Sequence, residues 1–326
     1  MEKRKLGSDG PEITILGFGS WAVGGPYKFG WGPTDDEESI AAIHHALDAG
    51  INWIDTAAVY GLGHSEEVVG RALRKRRTAD DVLVFTKCGG FFREDLSKVV
   101  YDLRPESISK ECEQSLARLG LETIDLYQIH WPDNSTGTQI EDSWATMNRL
   151  VEQGKVRWIG VSNFDIELLD RCEDVSHVTS LQPPLSLVKR QARNDVIPWA
   201  AEHGTGVLAY SSMASGLLTG KYDHERFANL ASDDWRRNSA AYQEPELSRI
   251  LNLVECMRPV AEALETTLPN LAVAWALTVP GVTAAIVGAR RPDQVDGWID
   301  AATLRLESSA LEQLERCVSL SGAGQG

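Results

Sequence analysis

The sequence predicts an α/β protein of the (β/α)8 (TIM) barrel type, and three observations carry that expectation. Eight short apolar, β-rich runs recur along the 326 residues. Amphipathic segments with readable helix starts and stops stand between them. The runs finish in polar residues, and the C-terminal ends of the strands are where such barrels carry their chemistry. Apolar strands separated by helices pair in parallel and are covered on their outer face. A doubly wound sheet is the competing arrangement.

In chain order, KRKLGSDGPEI has a DG turn between short runs and predicts an N-terminal β-hairpin. The strands follow as ITILGFGS (13–20), INWIDTA (51–57), DVLVFTK (81–87) and IDLYQIH (124–130), then VRWIGVSN (156–163), HVTSLQ (177–182), GVLAYS (206–211) and AAIVGA (284–289). Thr34 is the expected cap of DDEESIAAIHHALDAG, with Glu37 at capping-box spacing and Gly50 as the stop. The next helix starts at His64 or Ser65, with Glu66 and Glu67 in its first turn. Pro105 opens PESISKECEQSLARLG at a tolerated first-turn position, and Gly120 closes it. Further helices are expected near 140–153, 165–173, 194–203, 269–278 and 292–301, with an additional C-terminal helix over 306–319. Residues 212–247 are too long for a plain connection and predict a functional flap. No linker marks a boundary, so residues 1–326 are expected to form a single barrel domain.

The chain carries 47 acidic against 32 basic residues, a net charge of −15. Nucleic-acid binding is not expected, because the densest basic cluster, RKRRT at 74–78, reads as a helix end with cations at its negative pole. No apolar run approaches a membrane span, and the N-terminus lacks the apolar stretch of a signal peptide. The five cysteines are scattered, so neither a zinc site nor a disulfide framework is expected, and the default location is the cytoplasm.

The strand ends collect Asp55, Lys87, His130, Ser162, Asn163, Gln182, Tyr210, Ser211 and Arg290. Tyr60 lies on the loop after Asp55. Singly, each has a structural reading: a loop cap, a packed ring, a lysine reaching solvent, a hydrogen-bonded histidine. Together on one rim they suit carbonyl chemistry. A buried acid needs a partner, and Lys87 supplies one. An ammonium beside a phenol is expected to lower the phenol pKa, and His130 can donate to a carbonyl oxygen. Hydride would reach carbon while Tyr60 protonates oxygen.

NWIDTAAVYGLGHSEEVVGRAL, TKCGG, DLYQIHWPD, GKVRWIGVSNF, SGLLTGKY and VGARRPDQV occur in that order and span nearly the whole chain. In this set the chain resembles the aldo-keto reductase superfamily, with its VGARRP ending most similar to the bacterial general-stress and inositol-operon branch. The resemblance implies a catalytic tetrad of Asp55, Tyr60, Lys87 and His130 and a nicotinamide cofactor across the barrel mouth. It implies that Ser162, Asn163 and Gln182 hold the carboxamide and that Tyr210 stacks on the ring. Ser211, Met213, Gly216, Leu217 and Lys221 fall in the pyrophosphate stretch. The GARRPDQ segment, with Gly288, Arg290 and Gln294, is implied at the adenosine end. An arginine suits a 2′-phosphate bidentately, which favours NADPH/NADP+ over NADH. Ser212 and Ala214 depart from the family's usual Pro and Gly, and Leu185 and Ser186 replace its Tyr-Asn pair after Gln182.

GFGSWA (17–22) matches a dinucleotide-binding pattern, but helix breakers follow where a helix must receive the pyrophosphate, so it is read as a strand-one loop. Trp21, Tyr27, Phe29 and Trp31 on that loop, with Trp131 after His130, form an expected aromatic wall for the substrate. The adjacent His44 and His45 lack metal-ligand spacing, and no metal is expected. The expected activity is reduction of aldehydes or ketones. A sugar or polyol dehydrogenase using the same site in reverse is the alternative, and a cofactor-binding channel subunit is a third reading. The sequence leaves oligomeric state open.

Overall fold

The computed structural model describes residues 1–27, 30–76, 81–92, 99–230 and 234–324. The hairpin is present: β1 (Lys3–Lys5) pairs antiparallel with β2 (Glu12–Thr14). The chain then alternates β3 (Leu16–Gly19), α1 (Asp36–Asp48), β4 (Trp53–Asp55), α2 (His64–Lys75) and β5 (Leu83–Cys88). A short antiparallel pair follows, β6 (Gly90–Phe92) with β7 (Val99–Tyr101). Next come α3 (Pro105–Leu119), β8 (Ile124–Ile129), α4 (Ile140–Glu152), β9 (Val156–Ser162), α5 (Ile166–Glu173), β10 (Ser180–Gln182), α6 (Val196–His203) and β11 (Gly206–Ala209). The remainder is α7 (His224–Ala228), α8 (Glu246–Ala263), α9 (Leu268–Thr278), β12 (Val282–Gly288), α10 (Pro292–Asp296) and α11 (Ser308–Ser321). The sheet closes in the order β10-β11-β12-β3-β4-β5-β8-β9. All eight expected runs supply its strands, so the barrel replaces the doubly wound alternative.

The closed sheet separates two apolar clusters. The larger one fills the space between sheet and helices, with Trp144, Met147, Tyr127, Leu253 and Trp298 among its buried members. The smaller one lies inside the barrel: Leu6 and Ile13 from the hairpin region pack with Trp53, Phe85, Leu126, Leu208, Ala284 and Ile286. The hairpin therefore plugs the N-terminal end. Trp53 needs a glycine opposite it, since a Cβ at Gly17 would lie 2.2 Å from its ring. Its indole Nε1 donates to Thr14 O at 2.9 Å, which satisfies the ring's polar atom.

Several local expectations are corrected. The cap of α1 is Asp35, which accepts from the amides of Glu37 and Glu38; Thr34 lies one residue too early. The segment 212–247 contains a 3-10 turn at Ala214–Thr219, the short α7 and two further 3-10 turns, Trp235–Asn238 and Ala240–Tyr242. Helix α8 begins at its end without a capping side chain and contains Pro259, two features that argue against a helix in sequence. The expected 292–301 helix is broken into α10 and a 3-10 turn at Ile299–Ala302. The reading of the cysteines also fails in one respect. Cys256 of α8 and Cys317 of α11 are joined by a disulfide across 61 residues, with Cα atoms 5.5 Å apart. Helix packing brings them together, and scattered spacing gave no sign of it. Cys88, Cys112 and Cys172 are free and buried.

GFGSWA forms β3 and a 3-10 turn at Trp21–Gly24, with no α-helix at the position a pyrophosphate-binding pattern needs. His44 is tied to Ala72 O and His45 to Asp296, both holding helices in place. No helix among the described residues is long and apolar enough to cross a membrane.

Candidate active site

Side chains two apart on a strand share a face. Inside the barrel this rule converts an apolar floor into a polar mouth. Trp53 is followed by Asp55, Phe85 by Lys87, and Leu126 by Gln128 and then His130. Asp55 and Lys87 are buried, 3% and 1% exposed, and two charges there must be paired. Lys87 Nζ donates to Asp55 Oδ1 at 2.5 Å and to Thr56 O at 2.9 Å. The second oxygen, Asp55 Oδ2, accepts from Gln182 Nε2 at 2.9 Å. Asp55 O accepts from the Ser20 hydroxyl, which fixes the strand end.

Tyr60 follows on a 3-10 turn whose Gly61 and Leu62 are left-handed. A side chain at Gly61 would strike the Gly24 carbonyl at 2.0 Å, so the Tyr60 loop and the strand-one loop touch backbone to backbone. Lys87 Nζ lies 5.2 Å from the centre of the Tyr60 ring. The His130 ring meets Tyr60 edge to face at a centroid distance of 5.6 Å. The structure thus brings Asp55, Tyr60, Lys87 and His130 together.

Their electrostatics differ from expectation at one point. Burial pushes the Tyr60 phenol well above its ordinary pKa, and the charge of Asp55 adds to the rise. The expected lowering by Lys87 does not prevail, because Asp55 cancels much of the ammonium's field and the ring is dehydrated. Burial lowers the Lys87 pKa, while Asp55 pulls it back up. Burial, and then the Lys87 charge, hold His130 well below its ordinary value. The site at neutral pH is therefore a neutral phenol and a neutral imidazole beside a compensated ion pair.

The adjoining strand ends form a second connected group. Ser162 Oγ donates to Gln182 O at 2.8 Å. Asn163 adopts a left-handed backbone at φ 62°. Its Nδ2 donates to His130 O at 3.0 Å, and its Oδ1 accepts from Tyr210 OH at 2.7 Å. Beyond Tyr210 the backbone turns sharply, with positive φ at Ser211, Ala214, Ser215 and Gly216. Met213 caps this 3-10 turn. The Leu217 side chain, however, is 1% exposed and belongs to the outer core, so only its backbone is available to a ligand. Lys221 is exposed just past the turn. Ser212 Oγ is buried without a hydrogen-bond partner.

Gly288 ends β12 in register with Gly19. Arg290 N donates to Gln294 Oε1 at 2.7 Å, so Gln294 closes the turn into α10. Arg290 Nη1 donates to Trp31 O at 2.8 Å. Burial and the neighbouring guanidiniums of Arg291 and Arg236 lower the Arg290 pKa, while Arg291 and Arg236 themselves are paired with Asp293 and Asp234.

Trp21 and Trp31 stack edge to face at 5.4 Å, and Trp235 completes a cluster at 5.5 and 5.9 Å from them. The Arg236 guanidinium lies 4.8 Å over the Trp31 ring and is held by Asp234. Trp31 Nε1 and Trp235 Nε1 are both buried without partners. Trp131 packs near Tyr101 at a centroid distance of 6.0 Å. Phe29 lies outside the described residues. Sequence reasoning missed Trp235, Arg236 and Gln128; the first two lie in the segment expected to be a flap, and the third is the one amide in the apolar run DLYQIH. A surface cleft of about 460 Å³ lined by His64, Glu67, Arg71, Arg74, Ala117 and Arg118 lies outside the barrel and shares none of these residues.

Comparison with known proteins agrees with this architecture. The model of the Aldo/keto reductase family matches residues 15–319. The chain is 37% identical over 305 residues to aldo-keto reductase YhdN of Bacillus subtilis (strain 168), covering 91% of this chain and 89% of that protein. It is 32% identical over 318 residues to the NADH-specific methylglyoxal reductase of Escherichia coli (strain K12), covering 95% and 96%. The solved glycerol dehydrogenase AKR11B4 of Gluconobacter oxydans superposes with a TM-score of 0.88 at 39% identity, over 98% of this chain and 95% of that one. The closed barrel, the polar mouth and these likenesses have one conclusion: the chain is an oxidoreductase fold of the aldo/keto reductase family, to which it belongs.

Proposed function

We propose that this chain reduces aldehydes or ketones to alcohols with NADPH, acting as one barrel unit through Asp55, Tyr60, Lys87 and His130. The observation that carries the reading is the buried Lys87–Asp55 pair, 2.5 Å apart, with its ammonium 5.2 Å from the Tyr60 ring centre. When bound, a nicotinamide dinucleotide supplies the hydride. The residues present fit such a group: Ser212 Oγ is an orphaned buried donor, and Arg290 makes no ion pair among the described residues while its neighbours Arg236 and Arg291 are paired with Asp234 and Asp293. Ser162, Asn163 and Gln182 would hold the carboxamide and Tyr210 the ring. Ser211, Met213, Gly216, Lys221 and the Leu217 backbone would line the pyrophosphate. Gly288, Arg290 and Gln294 would receive the adenosine end.

Tyr60 holds the proton that the substrate oxygen needs. Its raised pKa keeps the phenol protonated, and the transfer still runs downhill because an alkoxide is a stronger base than a phenolate. Neutral His130 donates a hydrogen bond to the same oxygen and so polarises the carbonyl. Lys87 stabilises the phenolate left behind, and Asp55 keeps Lys87 charged and oriented. Trp21, Trp31 and Trp235 would shield the site from water, and an aromatic wall of this kind suits flat or apolar substrates.

Tyr60→Phe is the direct test: kcat for aldehyde reduction should fall by about 10²–10⁴-fold, the usual scale of general acid catalysis, with dinucleotide affinity retained. Full turnover in that variant would remove the assignment. Arg290→Ala should cut the preference for NADPH over NADH, read as the ratio of dissociation constants. An unchanged ratio would remove Arg290 from the 2′-phosphate, and tighter binding of NADH than NADPH by the wild-type protein would overturn the NADPH reading in favour of the cofactor named for the Escherichia coli relative. The likeness to a glycerol dehydrogenase supports a second reading, polyol oxidation at the same groups. The same tetrad serves both directions, since the acid of reduction is the base of oxidation, and the cofactor pool sets which one runs. Comparing kcat/KM for NADPH with aldehyde against NAD with polyol separates the two.

A further inference from the structure

A buried amide deep in a barrel is costly unless each end is satisfied. Gln128 lies on β8 between Leu126 of the floor and His130 of the mouth, and it is fully buried. A leucine-sized apolar residue would extend the floor without that cost. The neighbouring strands instead make room for the amide. Gln128 is in register with Gly160, and Gly160 with Ser180. A Cβ at Gly160 would lie 2.0 Å from Ser180 Oγ, so the glycine leaves space for a polar layer.

In that layer Gln128 Oε1 accepts from Gln182 Nε2 at 3.2 Å and, at longer range, from Ser180 Oγ at 3.5 Å. Gln128 Nε2 points at Asp55 Oδ2 at 3.5 Å, and Gln182 Nε2 donates to the same oxygen at 2.9 Å. A carboxylate only accepts, so it fixes which end of each amide faces it. Both amide hydrogens of Gln182 are then used internally, one on Asp55 and one on Gln128. Its carbonyl oxygen is the end turned away from Asp55. Asp55, Gln128 and Gln182 close a triangle whose other corner, Asp55 Oδ1, holds Lys87.

We propose that Gln128 is a positioning residue, which locks the Gln182 amide against Asp55 and presents the Gln182 carbonyl oxygen as a fixed acceptor for the carboxamide of a nicotinamide dinucleotide. It touches neither substrate nor cofactor and acts through Gln182. The inference rests on the cofactor reading above and deepens it.

The test compares dissociation constants, by protein-fluorescence titration, for two kinds of ligand. One is whichever of NADPH and NADH the wild-type protein binds more tightly. The other is the matching fragment without nicotinamide, 2′-phospho-ADP-ribose or ADP-ribose. In Gln128→Leu the dinucleotide should weaken about three- to tenfold, the scale of one lost hydrogen bond, while the fragment stays within about twofold. Gln128→Glu, held protonated by burial and by the facing Asp55 carboxylate, keeps both an acceptor for Gln182 and a donor for Asp55 Oδ2, and should recover most of the dinucleotide affinity when titrated at about pH 6. If the leucine variant does not fold, Gln128→Met carries the same expectation.

Unchanged dinucleotide affinity in the apolar variant would overturn the proposal. Equal weakening of dinucleotide and fragment would overturn it as well, since that is the mark of a general structural role. So would a glutamate variant no better than the leucine one. Wild-type protein that binds neither dinucleotide would remove this inference together with the cofactor reading. A Tyr60→Phe protein with full turnover would remove the proton-donor assignment alone and leave the binding comparison intact.

Discussion

The two ends of the barrel interior are built by the same strands and solve opposite problems. At the N-terminal end Trp53, Phe85, Leu126 and Leu208 pack with Leu6 and Ile13 into a dry plug. Two residues further along, β4 and β5 put Asp55 and Lys87 into the same bore, and β8 puts Gln128 there. The floor is held by area removed from water and by close fit, as the void-free contact between Gly17 and Trp53 illustrates. The mouth is held by hydrogen bonds whose every member must be satisfied. One end tolerates no change of volume, and the other no change of charge.

Removing a charge at the mouth is the strongest way to break this contrast. Lys87→Met leaves Asp55 buried without its cation, which should cost about 3–5 kcal/mol in urea unfolding. Its kcat should also fall by at least about 10²-fold. Adding Asp55→Leu should return part of the stability, because replacing both partners is far cheaper than stranding one. Activity should not return. A double variant as unstable as Lys87→Met would mean that the mouth is held by something other than pairing.

At the floor the expected signature is reversed. Trp53→Ala removes the largest ring of the plug and the bond to Thr14 O, and should cost about 3–5 kcal/mol of stability. Its kcat per folded molecule should stay near wild type, measured well below the lowered melting temperature. A large kcat loss there would show that the plug sets the geometry of the mouth and would erase the distinction drawn here.

The smallest effect near neutral pH concerns Glu111, just behind the mouth. Its carboxyl oxygens accept from Gly89 N at 3.2 and 3.1 Å, yet burial pushes its pKa up to about 8. The folded protein therefore holds a proton that the unfolded chain releases near 4.5. Stability from this group is complete below that lower value and is lost as pH rises through about 8. The melting temperature of wild type should fall across that window, and Glu111→Gln should flatten the slope. Identical slopes for the two proteins would mean that Glu111 titrates normally.

Much of this was legible beforehand because period and position carry it. All eight strands were marked by apolar runs, and the polar strand ends by residues such as Asp55, Lys87 and His130 standing where an apolar run stops. Gln128 was equally visible in DLYQIH, but only neighbours on other strands give an isolated amide a meaning. Trp235 and Arg236 were hidden in a segment whose short 3-10 turns leave no periodic trace. Helix α8 was obscured by Pro259 and an uncapped start.

The sequence by itself determined the eight strands and which polar side chains would stand at their ends, because alternation along a strand is a local property, while the closed order of the sheet came from the tertiary structure. Tertiary structure alone decided the Cys256–Cys317 link, the cluster of Trp21, Trp31 and Trp235, and the direction in which the Tyr60 phenol moves. Those depend on distances between segments far apart in the chain and on how much water the closed barrel excludes. In particular, burial outweighs a neighbouring ammonium whose field a carboxylate already cancels, and no spacing of letters records that balance.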